Sequence, residues 1–112
     1  MDKDETSEEI IKTIDAKKIS CSNYTYFETN SEVPYTGKIV EYYENGQKKS
    51  VISVKDGKEH GLKTAWHENG QKRLEQNWKD GKWHGLWGLW FENGEIVLER
   101  YYENGKEVSK PY

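Results

Sequence analysis

Nine of the ten glycines in this chain fall on one period. Gly37, Gly61 and Gly85 lie 24 residues apart, as do Gly46, Gly70 and Gly94, and as do Gly57, Gly81 and Gly105. Only Gly88 stands outside the series. A period of this size marks an array of stacked units that share one continuous core. The question for function therefore becomes what a repeated surface holds.

The three units are GKIVEYYENGQKKSVISVKDGKEH at 37–60, GLKTAWHENGQKRLEQNWKDGKWH at 61–84 and GLWGLWFENGEIVLERYYENGKEV at 85–108. Each contains two short runs separated by Glu-Asn-Gly and closed by Asp-Gly or Asn-Gly. These residues tolerate the positive φ that tight hairpin turns require. Each unit thus reads as strand, turn, strand, turn. The expected strands are 37–43 and 47–55, then 61–67 and 71–79, then 85–91 and 95–102. The expected fold is all-β: an elongated, twisted antiparallel meander of about eight strands in a single-layer sheet.

Alternation assigns the faces. In unit two, Leu62, Trp66, Leu74 and Trp78 are expected on one face; unit three places Leu86, Trp90, Leu98 and Tyr102 there, and unit one Lys38, Tyr42, Ser50 and Val54. The opposite face takes Ala65 and His67, then Trp87, Leu89, Phe91 and Tyr101. Unit three is thus apolar on both faces. Tyr42, Trp66 and Trp90 form one column, Tyr43, His67 and Phe91 a second, and Val54, Trp78 and Tyr102 a third. Such columns serve either as ribs of a thin core or as a concave aromatic groove for a peptide, a protein or a sugar. Trp83, read as part of a loop GKWHG, is either folded over a rib or exposed as a contact residue. Gly88, inside a strand, suggests a bulge or a close backbone approach.

Upstream, residues 19–36 read as a degenerate unit that caps the array, with strands near 18–22 and 24–28 and Asn23 in the slot of a turn glycine. Residues 1–18 form a polar segment: disorder is expected over 1–8, and one or two helical turns over EEIIKTIDAKK, where Ile10, Ile11 and Ile14 share a face.

Hydrophobic and charged residues each make up 33% of the chain, a balance that alone leans toward disorder. Five Trp, eight Tyr and two Phe argue against that. Residues 1–33 carry four Lys and eight acids, and the remainder 13 basic residues against 12 acids, so no basic stripe marks a nucleic-acid surface. No apolar run is long enough to span a membrane and no signal peptide is recognised, which points to the cytoplasm. The alternative is an exported or envelope-anchored protein whose signal has been removed. Cys21 is the lone cysteine. His60 and His84 occupy equivalent places, but two strands separate them by about 10 Å, too far to converge on one metal. Cys21, the hydroxyls of Ser20, Ser22 and Thr25, and the histidines show no spacing that assembles a nucleophile with a base. No cofactor, no metal and no catalysis are expected.

The motifs YYENGQKK at 42–49, WHENGQKR at 66–73 and WFENGEIV at 90–97, with KDGK at 55–58 and 79–82 and the lead-in VPYTG, resemble the MORN-repeat variant, specifically the bacterial YwqK-family antitoxins. The resemblance covers roughly residues 19–108. It implies a hairpin meander used for protein–protein contact, with a toxin as one candidate partner. MORN repeats more broadly are linked to membrane lipids and to dimerisation. Trp83, Trp87, Leu89, Phe91, Tyr43, His67 and Tyr101 are the candidate partner-binding residues. Lipid or glycan binding through the aromatic face, and self-association through an open edge strand, are the alternative roles.

Overall fold

The computed structural model describes residues 12–109. In chain order the strands are β1 Thr13–Asp15, β2 Ile19–Ser22, β3 Thr25–Glu28, β4 Gly37–Tyr42, β5 Lys48–Lys55, β6 Lys58–Trp66, β7 Lys72–Lys79, β8 Lys82–Trp90, β9 Ile96–Glu103 and β10 Lys106–Val108. Strands β4 to β10 form an antiparallel meander, and β1 adds to its far edge in parallel with β4, giving an open eight-stranded sheet in the order β10-β9-β8-β7-β6-β5-β4-β1. β2 and β3 pair in a separate two-stranded sheet.

Two turn chemistries alternate along the array. Asp-Gly and Asn-Gly at 56–57, 80–81 and 104–105 are two-residue loops in which both residues have positive φ, between 50° and 84°. That is the primed geometry whose twist matches the flanking strands. Because the turns are so short, β6 and β8 begin at Lys58 and Lys82, three residues earlier than expected. Trp83 therefore lies in a strand and not in a loop, and so do His60 and His84.

At the other rim, Glu-Asn-Gly forms a three-residue loop with glycine at positive φ. The N–H of Gly46, Gly70 and Gly94 donates to the carbonyl of Tyr43, His67 and Phe91 at 3.0, 2.9 and 2.9 Å. Each Asn accepts through Oδ1 from the N–H two residues on, at 2.9 Å in all three units. This Asx bond explains why the position is Asn and not merely any turn former.

Just past each such turn the pairing slips by one residue. Tyr42 faces Lys48 but Glu41 faces Ser50; Trp66 faces Lys72 but Ala65 faces Leu74; Trp90 faces Ile96 but Leu89 faces Leu98. One extra residue, Lys49, Arg73 or Val97, is thereby inserted in every second strand. A bulge of one residue moves all later side chains to the other face. The expected faces are corrected accordingly. Leu74 and Trp78 lie with Ala65, not with Leu62 and Trp66, and Leu98 and Tyr102 lie with Trp87 and Leu89. Tyr101 faces Leu86 and so leaves the Trp87 group. Val54 shares its face with Ile39 and Ile52, opposite to Lys38 and Val40.

One face is covered at its N-terminal end. Ile14, Tyr35, Ile39, Ile52 and Val54 form the buried cluster, with Ala16, Ile19 and Tyr26 packed against it. The expected single layer is thus double here, since the β2–β3 hairpin lies over the first unit. It is not a fourth hairpin of the meander, although its turn residues Asn23 and Tyr24 do take positive φ of 51° and 61°. Neither is there an α-helix over 12–18. Ile14 pairs with Ile39 in β1, and Ala16–Lys18 form one 3-10 turn capped by Asp15. An apolar residue at one position of a strand buries as well as a helical stripe would, and an open sheet edge supplies the hydrogen bonds that a short isolated helix lacks. The disorder expected over residues 1–8 lies outside the described residues.

The cap docks on the first tight turn. Tyr26 N–H donates to the Gly57 carbonyl at 2.9 Å, Gly57 N–H donates to the Tyr35 carbonyl at 2.7 Å, and Tyr26 Oη–H donates to Glu59 at 3.1 Å. Burial, reinforced by the Glu59 charge, pushes the Tyr26 phenol up to about 12. The principal extents are 40 × 37 × 36 Å, not those of an elongated body. Eight strands spaced by about 4.8 Å span about 34 Å, close to the length of about 30 Å of a nine-residue strand.

Gly57 and Gly81 separate the cost of left-handed backbone from that of crowding. At Gly81, with φ of 80°, an added Cβ meets nothing within 4 Å, whereas at Gly57, with φ of 83°, it comes within 2.3 Å of Thr25 Cγ2. Gly81→Ala is expected to cost about 1–2 kcal/mol, and Gly57→Ala a further 1–3 kcal/mol, roughly, from overpacking. Urea denaturation of the two variants measures the difference.

Candidate functional site

Adjacent units are stitched at both rims by bonds that obey the same period. At the tight-turn rim, the N–H of Gly57, Gly81 and Gly105 donates to the carbonyl of Tyr35, Glu59 and Trp83 at 2.7, 3.0 and 2.9 Å. The N–H of Asp56 donates to Thr36 Oγ1 at 2.8 Å, and that of Asp80 to His60 Nδ1 at 3.2 Å. His60 is therefore an acceptor in the scaffold. His84 Nδ1, in the equivalent place, is buried without a partner. Among the described residues no group of three or more His, Cys, Asp or Glu is arranged to hold a metal ion.

At the opposite rim, Tyr43 Oη–H donates to the Trp66 carbonyl at 2.6 Å, and His67 Nε2–H donates to the Trp90 carbonyl at 2.9 Å. Asn69 Nδ2 adds a bond to the Glu92 carbonyl at 2.9 Å. His67 thus repeats Tyr43's work one unit on. Phe91 closes this column with a ring that can donate no such bond, and it is exposed. Tyr43 and His67, expected as contact residues, are half-buried and hold the scaffold together.

The aromatic columns split between the faces. On the face shared with the cap, Trp83 stands at the centre of a cluster, with ring centroids 5.9 Å from Trp78, 5.7 Å from Trp87 and 4.9 Å from Tyr102. Ala65, 1% exposed, and Gln76 lie deep between this cluster and the N-terminal core. Gln76 accepts from Trp78 Nε1 at 3.2 Å. The cluster makes Trp83 part of the second core of the sheet.

The uncapped face carries a different row. Tyr42 faces Lys48, Trp66 faces Lys72 and Trp90 faces Ile96. Lys72 Nζ sits 5.2 Å from the Trp90 ring centroid, a cation–π contact, and also pairs with Glu75 at 2.7 Å. Gly88 is neither a bulge nor a backbone contact. It pairs in register with Glu75 and Glu99, and a Cβ there would come within 2.7 Å of the Trp90 indole. The irregular pairing falls instead in β6 between Glu59 and Lys63 and in β8 between Trp83 and Trp87, spanning Gly61 and Gly85 at φ of 99° and 101°. A groove of about 360 Å³ crosses this face, with Val40, Val51, Leu62 and Trp66 among its apolar lining and Lys38, Lys48, Ser53 and Thr64 among its polar lining.

Of the expected contact residues, Trp87 and Leu89 are half-buried on the capped face, Tyr101 is half-buried on the uncapped one, and Phe91 is exposed just beyond β8. They do not form one patch. The C-terminal rim does gather three large apolar residues: Phe91, Ile96 and Val97, exposed by 53%, 56% and 47%. Ile96 and Val97 were not among the expected contacts. Aligning the units reveals them, because the same positions hold Lys48-Lys49 and Lys72-Arg73 in the interior units.

This geometry defines a hairpin-repeat array whose recurring elements are turns and rim stitches. Residues 35–56 and 59–80 match the family model described as MORN repeat variant. The chain therefore carries two adjacent repeats of that type, consistent with a non-catalytic repeat module. No curated protein and no solved structure matches the chain.

Two substitutions test the scaffold roles. Trp83→Ala is expected to lower stability by about 3 kcal/mol, the low end for truncating a packed large ring; an unchanged melting temperature would remove Trp83 from the core. His67→Phe is expected to cost about 1 kcal/mol, the net worth of one hydrogen bond, while His67→Tyr, which keeps a donor, stays close to the parent in the same urea titration.

Proposed function

We propose that the chain is a non-catalytic protein-binding module whose contact surface is its C-terminal unit. The observation that supports this most directly is the exposed apolar rim of Phe91, Ile96 and Val97. In the interior units the equivalent residues are Tyr43 or His67 and pairs of basic residues, so the rim is a local departure from a polar repeat. Clustered exposed apolar side chains mark interaction surfaces. Trp87, Leu89 and Tyr101 lie on the strands behind this rim and would shape it. The finer reading is an antitoxin-like role in the cytoplasm, in which the rim covers and neutralises a partner protein.

A second reading is supported by the groove on the uncapped face. Lys38 and Lys48 stand beside Trp66 there without an ion-pair partner among the described residues, a combination suited to an anionic lipid or glycan at an envelope surface. Co-sedimentation with anionic vesicles, abolished by Lys38→Glu with Lys48→Glu, would favour it.

The deciding experiment is co-expression with the protein encoded beside this chain. The expected result is a stable one-to-one complex and relief of any growth defect that protein causes. Phe91→Ser combined with Ile96→Lys and Val97→Lys is expected to weaken the complex at least tenfold without changing the melting temperature. Undiminished binding by this variant would move the contact surface elsewhere. Failure of the adjacent protein to bind would end the antitoxin reading.

A further inference from the structure

The second strands of the three units differ in a way that tracks their position in the sheet. β5 carries three Lys and no acid, and β7 carries three basic residues and one Glu. β9 carries one Arg against two Glu and has no Lys at all. β5 and β7 are paired along both sides. Among the described residues, β9 is covered on its outer side by β10 along Tyr101–Glu103, and no described strand lies beside Ile96, Val97 and Leu98 on that side. Open strand edges are ordinarily protected by lysine, which discourages pairing. Here the lysines sit on strands paired along both sides, and β9, which has no described strand beside part of its outer edge, carries Ile96 and Val97 in their place.

We propose that the outer edge of β9 at Ile96–Leu98 receives an extended segment of a partner protein as an added strand, and that this segment alternates apolar residues with Lys or Arg. The inference rests on the protein-binding reading above and gives that surface its mode and its partner's chemistry. Backbone N–H and C=O groups along an open edge supply the affinity of strand addition, and alternate side chains supply the selectivity. Ile96, Val97 and the neighbouring Phe91 offer apolar contact. Glu92 and Glu95 in the adjoining turn place acid beside that contact, which favours basic side chains on the incoming strand. A second copy of this chain would bring the same acids to meet themselves, and like charges across a strand pair are destabilising.

The test uses the full chain and two blocked heptapeptides, one alternating Lys with Val and one alternating Glu with Val. The Lys peptide is expected to bind at least tenfold more tightly and to slow hydrogen exchange at those amides of Ile96–Leu98 that face the outer edge. Ile96→Lys with Val97→Lys restores the basic pair of the interior units, so the fold is preserved; it is expected to reduce that affinity at least tenfold at an unchanged melting temperature. Equal affinity for both peptides, binding by neither, or protection confined to other strands would overturn the proposal. So would protection of the same outward-facing amides in the protein alone, together with a doubled mass, which would assign the edge to a second copy. None of these outcomes touches the binding of the adjacently encoded protein, which stands or falls on its own complex.

Discussion

The sheet depends on a bond that recurs once per unit: a glycine N–H in each tight turn donating to a carbonyl of the unit before. A thin sheet buries too little to be held by packing alone, and its cluster of fully buried apolar residues lies at the capped N-terminal end. The rim bonds to Tyr35, Glu59 and Trp83 tie successive turns together where the strands would otherwise splay. They require left-handed backbone at Asp-Gly and Asn-Gly, so turn chemistry and unit-to-unit cohesion are one constraint. Tyr43, His67 and Asn69 perform the matching task at the other rim with side chains.

The order of β4 to β9, the turn positions and the hairpin repeat could be read from the glycine period and the Asn-Gly and Asp-Gly pairs, whereas the parallel edge strand β1, the separate β2–β3 sheet and β10 could not. The faces could not. Alternation counted through the turn assigns Leu74 to the face of Leu62, but the extra residue at Arg73 turns it to that of Ala65. No residue type announces such a bulge, since Lys49, Arg73 and Val97 are ordinary strand residues. The same slip put Tyr101 with Trp87 and hid the cluster of Trp78, Trp83, Trp87 and Tyr102. The N-terminal isoleucines illustrate a different ambiguity: Ile14 fits a helical stripe as well as a strand, and only the free edge of β4 decides between them.

The two faces have consequently diverged. One holds its aromatics edge to face in a second core around Trp83, and the other spreads Trp66 and Trp90 between lysines along a solvent-facing row. The C-terminal rim belongs fully to neither face. Phe91 ends the column of rim donors with a side chain that has nothing to donate, which suits a unit with no successor described beside it. The rim is thus where the internal logic of the repeat stops and an external contact can begin.

The bulge in every unit makes the architecture discrete in length. Adding or deleting a whole period of 24 residues preserves each turn, each rim bond and the side on which every aromatic emerges. Gaining or losing one residue within a strand would turn the remaining side chains of that strand inside out. Variation in a lineage of such chains is therefore channelled into the number of units and the identity of their surface residues, with almost none tolerated in spacing.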